Sequence, residues 1–175
     1  MIFISGVHGV GKSFFCSIVH EKLGINTYQA STLISEMRHS GFDGNKLTSA
    51  IDDNQRYLLS AVQELQKTER HFILDGHFCL LDKIGKVTRI PLGTFTSIKP
   101  EVIILLTESP EVISKRRKER DNVIELPEKI AEFQHEEEKY AREVALLIGA
   151  RLFVSRGSGD LNDAIDFIRT FREVH

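Results

Sequence analysis

The sequence predicts an α/β fold of three layers, in which one sheet of about five parallel strands carries helices on both faces. Three observations predict it. Short apolar runs alternate with amphipathic stretches along the 175 residues, and strands interleaved with helices imply crossover connections and a parallel sheet. One of those runs, EVIILL from Glu101 to Leu106, has no polar alternation, as expected for a strand covered on both faces. A loop with three glycines, Gly6 to Gly11, stands directly between the first apolar run and the first amphipathic stretch.

The elements follow in order. Ile2-Phe3-Ile4 reads as the first strand, and Phe14 to Leu23 as a helix that Gly24 stops. Asn26 to Ala30 fits a second strand, and Thr32 to His39 a helix. From Asp52 to Thr68, Leu58, Val62 and Leu65 recur on one helical face. His71 to Asp75 is a third strand and Glu101 to Leu106 a fourth. Glu111 to Arg120 reads as a highly charged helix. Pro127 to Ile148 is a long helix, stopped by Gly149, with Ile130, Phe133, Tyr140, Val144 and Leu147 expected to face inward. Arg151 to Val154 makes the last strand, and Asp160 is expected to cap a final helix carrying Leu161, Ile165 and Ile168. Ligands of such sheets collect at the carboxyl ends of the strands, which is the edge where the glycine loop lies.

Composition narrows the function. A net charge of −2 and a pI near 6.4 argue against a general nucleic-acid binder. The two cysteines, Cys16 and Cys79, have no metal-ligand spacing and read as reduced thiols. The apolar runs are too short to span a bilayer and no signal peptide is visible, so a cytoplasmic protein is expected.

The glycine loop carries the chemistry. Gly6-Val7-His8-Gly9-Val10-Gly11-Lys12-Ser13 fits G-x-x-x-x-G-K-[ST], the P-loop. Its glycines let the backbone close around a polyphosphate with successive N–H groups pointing inward. The helix that follows, from Phe14 on, adds its positive dipole end. Lys12 would set a charge on the β- and γ-phosphates of ATP, and Ser13 would offer a hydroxyl to Mg²⁺. The dinucleotide fingerprint G-x-G-x-x-G does not fit this spacing. A second acid is expected beside the metal, and Asp75 at the end of the third strand supplies it, either holding Mg²⁺ through water or accepting a proton from an acceptor hydroxyl. His77 lies two residues on and is a candidate substrate contact, with a local structural role as the alternative. Arginines stand where phosphoryl transfer would use them: Arg38 after the second strand, and Arg116, Arg117 and Arg120 after the fourth. For the KRRKER run, the competing reading is a solvated helix face.

Taken together, these segments resemble the nucleoside monophosphate kinases, and among them the small archaeal-type adenylate kinases. IFISGVHGVGKS resembles their first strand and P-loop, STLISEMRHSG their acceptor-phosphate segment, and ILDGH their Asp-Gly or Asp-x-His strand end. KPEVIILLTESPEVISKRRKERD resembles their fourth strand and arginine helix, and IAEFQHEEEKYAREVALLIGARLF their long helix and last strand. The resemblance implies a single P-loop kinase domain over residues 1–175, of the three-layer P-loop NTPase fold. It implies an acceptor-binding segment at about 31–70, with Thr32 and Arg38 on the acceptor, and a short lid at about 117–127.

The implied activity is transfer of the γ-phosphoryl of Mg-ATP to a small acceptor, a nucleoside monophosphate, with Lys12, Asp75, Arg116 and Arg120 in catalytic roles. A hydroxyl acceptor, with Asp75 as base, is the first alternative. A regulatory ATPase or assembly factor is the second. The chain departs from the family in two places. No arginine stands between Asp121 and Pro127, where family lids often carry them, and the helix beyond is rich in acid, with Arg142 as the one substitute. Leu80 to Ser97 is long and is expected to shape the acceptor pocket. Homo-oligomers are allowed by the resemblance.

Overall fold

The computed structural model describes residues 1–39, 50–82 and 84–174. Its main sheet has five parallel strands in the order β2-β3-β1-β6-β7. They are β1 (Ile2–Ser5), β2 (Asn26–Gln29), β3 (Phe72–Asp75), β6 (Val102–Thr107) and β7 (Arg151–Arg156). The helices around it are α1 (Lys12–Leu23), α2 (Ala30–His39), α3 (Ala50–Thr68), α4 (Leu92–Ile98), α5 (Pro110–Asp121), α6 (Pro127–Ile148) and α7 (Leu161–Val174). Residues 40–49 of the expected acceptor segment lie outside the described residues.

The central strands owe their position to composition. Ile2, Phe3 and Ile4 of β1 and Val102 to Leu105 of β6 are all buried, so neither strand can sit at an edge without exposing a continuous apolar ribbon. β2, with its polar Asn26 and Gln29, takes the edge. Register then fixes the site. Asp75 pairs with Ile4 on one side and Gln29 on the other, so the carboxylate leaves the sheet at the same level as the glycine loop that follows Ser5.

Behind β1, Phe78 stacks on Phe95 with ring centroids 4.7 Å apart, and Phe3 meets Phe78 edge-on at 5.1 Å. Tyr140 of α6 adds a second edge-on contact to Phe78. Aromatic pairs in these geometries stabilise by about 0.5–1.5 kcal/mol beyond the area they bury. The cluster ties the end of β3, α4 and α6 into one unit.

Two expectations are corrected here, and one element was not expected. Leu147 is 65% exposed. At 3.6 residues per turn, the inward stripe of α6 centres on Glu137, Ala141, Val144 and Ile148, and Leu147 falls roughly a quarter-turn off it. Asp160 accepts the Arg156 N–H at 2.8 Å, while a short 3₁₀ turn (Ser158–Asp160) leads into α7. The long segment from Leu80 to Ser97 contains an unanticipated antiparallel hairpin, β4 (Cys79–Leu81) with β5 (Val87–Arg89). Its turn is closed by Asp82, whose carboxylate accepts the N–H groups of Ile84 and Lys86. The hairpin packs on α6. Arg89 donates to Glu136 and Glu143, both at 2.7 Å, and lies over the Tyr140 ring.

Candidate functional site

The loop from Gly6 to Gly11 turns the chain from β1 into α1, and α1 begins at Lys12, two residues earlier than expected. Gly6, Gly9 and Gly11 have φ of 141°, 82° and 113°, values in the region that side chains avoid. A Cβ on Gly6 would stand 2.5 Å from the carbonyl oxygen of Leu106, and one on Gly9 would stand 2.7 Å from Cγ of Arg117. Gly6→Ala is therefore expected to cost about 1–3 kcal/mol from backbone strain alone, read as a lowered midpoint in urea. An unchanged midpoint would show that the loop adapts.

Val7 and Val10 point into the core, so they present only backbone to a ligand, while Phe14 is 67% exposed. The hydroxyl of Ser13 lies on the open first turn of α1, and His8 lies on the loop with its ring 4.7 Å from that of His77.

Lys12 is buried to 9% exposure. Its ammonium donates to the carbonyl of Gly6 at 2.7 Å, lies 3.1 Å from Nε2 of His77, and is 3.9 Å from Asp75. An ammonium has three donors and no lone pair, so Nε2 of His77 accepts and its proton resides on Nδ1. Burial lowers the Lys12 pKa, with Asp75 and Glu137 opposing that shift. Burial raises Asp75, and Lys12 pulls it back. His77 is pushed down to about 3, by burial first and then by Lys12.

The sign of the stability effect follows. Below pH 6.5 the unfolded chain takes up a proton that folded His77 declines, so stability falls as pH drops from 6.5 toward 3. At about 1.4 kcal/mol per pKa unit, a few kcal/mol of acid sensitivity is expected from this one ring. His77→Gln should flatten the ΔG-versus-pH curve in that window. An unchanged slope would remove the assignment.

The arginines sort by rotation and rise along α5. Ile113 is buried and fixes the face. Arg116 then donates to the carbonyl of Val10 at 3.1 Å and pairs with Glu108 at 3.3 Å. Arg117 lies across Gly9 and pairs with Glu125. Arg120 is one turn further on and forms a two-pronged pair with Asp121. The residue closing over the loop beside Arg116 is thus Arg117. The expected lid is the short stretch between α5 and α6, held by Arg117–Glu125 and by Ser114 donating to the Glu125 carbonyl at 2.7 Å. Arg142 pairs with Glu138 on the outer face of α6, away from the lid.

Sequence reasoning missed Glu137. It is 1% exposed and accepts three donors: the Ser5 hydroxyl, the Phe78 N–H at 2.9 Å and the Cys79 N–H at 2.6 Å. One carboxylate thus joins the end of β1 to the turn that leaves β3, on either side of Lys12 and His77. Burial raises its pKa, and the hydroxyl and the two backbone N–H groups draw it back. The signal was present: Glu137 falls at helical spacing between Phe133 and Ala141, an acid on an apolar stripe.

A cavity of about 610 Å³ opens beside the loop, lined by Ser13, Cys16, Thr27, Tyr28, Gln29 and Asp75 among others. Thr32 and Arg38 are exposed on α2, outside that lining, and Arg38 donates to Asn54 of α3 at 2.6 Å. Among the described residues no cluster of three or more His, Cys, Asp or Glu could cage a metal. Mg²⁺ does not require one, since it keeps waters and takes one or two protein oxygens plus phosphates. The hydroxyl of Ser13 and the carboxylate of Asp75 fit that demand. No helix among the described residues is long and apolar enough to cross a membrane.

The chain is 25% identical over 119 residues to a Methanocaldococcus jannaschii protein provisionally named adenylate kinase, aligning with 68% of this chain and 58% of that one. It is 28% identical over 163 residues to an adenylate kinase of Thermoplasma acidophilum, covering 84% of each. The chain thus spans less than two thirds of the first relative and most of the second. Among solved structures, a sugar kinase from Janibacter superposes with a TM-score of 0.57 at 17% identity, covering 98% of this chain and 93% of that one, a likeness of fold. A family profile described as an AAA domain matches residues 5–133, well over half of the chain. The chain therefore belongs to that AAA domain family, and its P-loop, Gly6 to Ser13, lies within the matched residues.

Proposed function

We propose that the protein transfers the γ-phosphoryl group of Mg-ATP to a nucleoside monophosphate. The observation that carries this reading is the convergence of Lys12, Asp75 and the loop amides at the carboxyl end of the sheet, with Arg116 and Arg117 laid over the same loop. The amides from Gly9 to Ser13 cradle the donor phosphates. Lys12 leaves Gly6 and His77 for a phosphate oxygen, a swing within the reach of its own side chain. Arg116 and Arg117 stabilise charge spread over the transferring group. Ser13 and Asp75 would hold Mg²⁺, which neutralises charge on the β- and γ-oxygens.

A monophosphate oxygen is already anionic, so the step needs positioning more than a base. The cavity along β2 gives the acceptor a place beside Asp75, and Arg38, one element away, would reach its phosphate once Asn54 releases it. Two family-named relatives support this acceptor. One observation favours a hydroxyl acceptor instead: burial moves the Asp75 pKa up, toward the range a general base needs.

A thermal-shift panel with Mg-ATP and each nucleoside monophosphate, followed by ADP-release kinetics, separates the readings. Acceleration by one monophosphate is expected. Acceleration only by a sugar, nucleoside or other alcohol would assign the hydroxyl reading. Slow ADP release indifferent to every acceptor would assign a regulatory ATPase.

A further inference from the structure

A second cleft, of about 570 Å³, lies at the opposite edge of the sheet. Its walls are Gly24 and Ile25 leading into β2, Arg70 and His71 leading into β3, and Arg169 and Arg172 of α7. We infer that this cleft binds a small phosphate-bearing anion, independently of the P-loop. Three guanidiniums and an imidazole line one cavity, brought together from β3 and α7.

Arg172 donates to the carbonyl of Leu23 at 2.6 Å and so closes the end of α1. That bond uses one of five N–H donors. Arg169 pairs with Asp166 on its own helix. Arg70 and Arg169 are exposed. The His71 ring is held edge-on against the buried Phe171, at 6.1 Å. Burial lowers its pKa, followed by Arg172 and Arg70, consistent with a positive potential in the cleft. Glu101, the acid that opposes this shift, is itself paired with the amine of Met1 at 2.6 Å.

Guanidinium forks match phosphate geometry. With a net charge of −2 on the whole chain, the cleft is a local feature rather than part of a basic stripe. Its ligand is therefore small, a phosphate or pyrophosphate group, not a nucleic-acid backbone.

The test is an NMR titration of the full chain with inorganic pyrophosphate at constant ionic strength, following the histidine ring resonances. His8 and His77 report the P-loop, and His71 reports the cleft. A saturable shift of His71 is expected. The exposed double substitution Arg70→Ala/Arg169→Ala should weaken that saturation roughly tenfold or more, with the His8 and His77 responses unchanged. The inference is overturned if only His8 and His77 move, if His71 drifts without saturating as it does with chloride, or if the double variant binds as the native chain does. It is equally overturned if His71 responds to a single-stranded oligonucleotide and ignores pyrophosphate.

Discussion

Lys12→Ala is expected to lower kcat/KM for ATP-dependent transfer by about a thousandfold or more, the scale seen when a preorganised charge is removed from a developing oxyanion. The fold should survive. Burial works against the ammonium, which offsets part of the cost of leaving Asp75 without its partner, so the loss of stability should stay below the roughly 3–5 kcal/mol of a fully buried broken pair. The variant also has a signature separate from activity. Lys12 is the second cause, after burial, of the depressed His77 pKa. Without it, His77 should titrate measurably above 3 by ring NMR, still short of 6.5 because burial persists. A folded variant that turns over at the native rate would dismantle the proposed mechanism. An unmoved His77 would dismantle the electrostatic description of the site.

The second large effect is at Glu137. Glu137→Ala leaves the Ser5 hydroxyl and the N–H groups of Phe78 and Cys79 buried without an acceptor. Each orphaned donor costs about 1–3 kcal/mol, and loss of a buried charged partner about 3–5 kcal/mol in total. For a chain of this length that is roughly 10 °C in Tm. Glu137→Gln isolates the geometry. Its amide oxygen can satisfy one N–H, but its NH₂ group then faces a second donor, so the turn after β3 must shift. Because that turn carries Asp75 to His77, the Gln variant should lose activity more steeply than stability, with displaced His77 resonances. Equal, small losses in both would reduce Glu137 to an ordinary core residue.

How far the sequence could be read depended on the range of the interactions. The P-loop was legible because its glycines, Lys12 and Ser13 are contiguous, and local backbone demands select them in place. The strands were legible where apolar runs ended on a turn residue, as at Asp75-Gly76. The hairpin at Cys79–Arg89 was not, because its strands are three residues each and hold their position by packing on α6. In α5 the spacing to Ile113 put Arg117 and Arg120 on the same face. What separates them is where the P-loop crosses the helix, one turn short of Arg120.

The sequence by itself determined the class of fold, the position of the phosphate loop at the carboxyl edge of the sheet, and the strand end at which Asp75 stands. Those are consequences of composition and spacing within a few residues. Tertiary structure alone decided which arginine covers the loop, that Glu137 braces it, and that Arg70, His71, Arg169 and Arg172 share a cleft at the far edge. Glu137 reaches across 132 positions to Ser5. A residue's neighbours at that distance are set by how the helices rotate and seat on the sheet, which the pattern of its own segment does not encode.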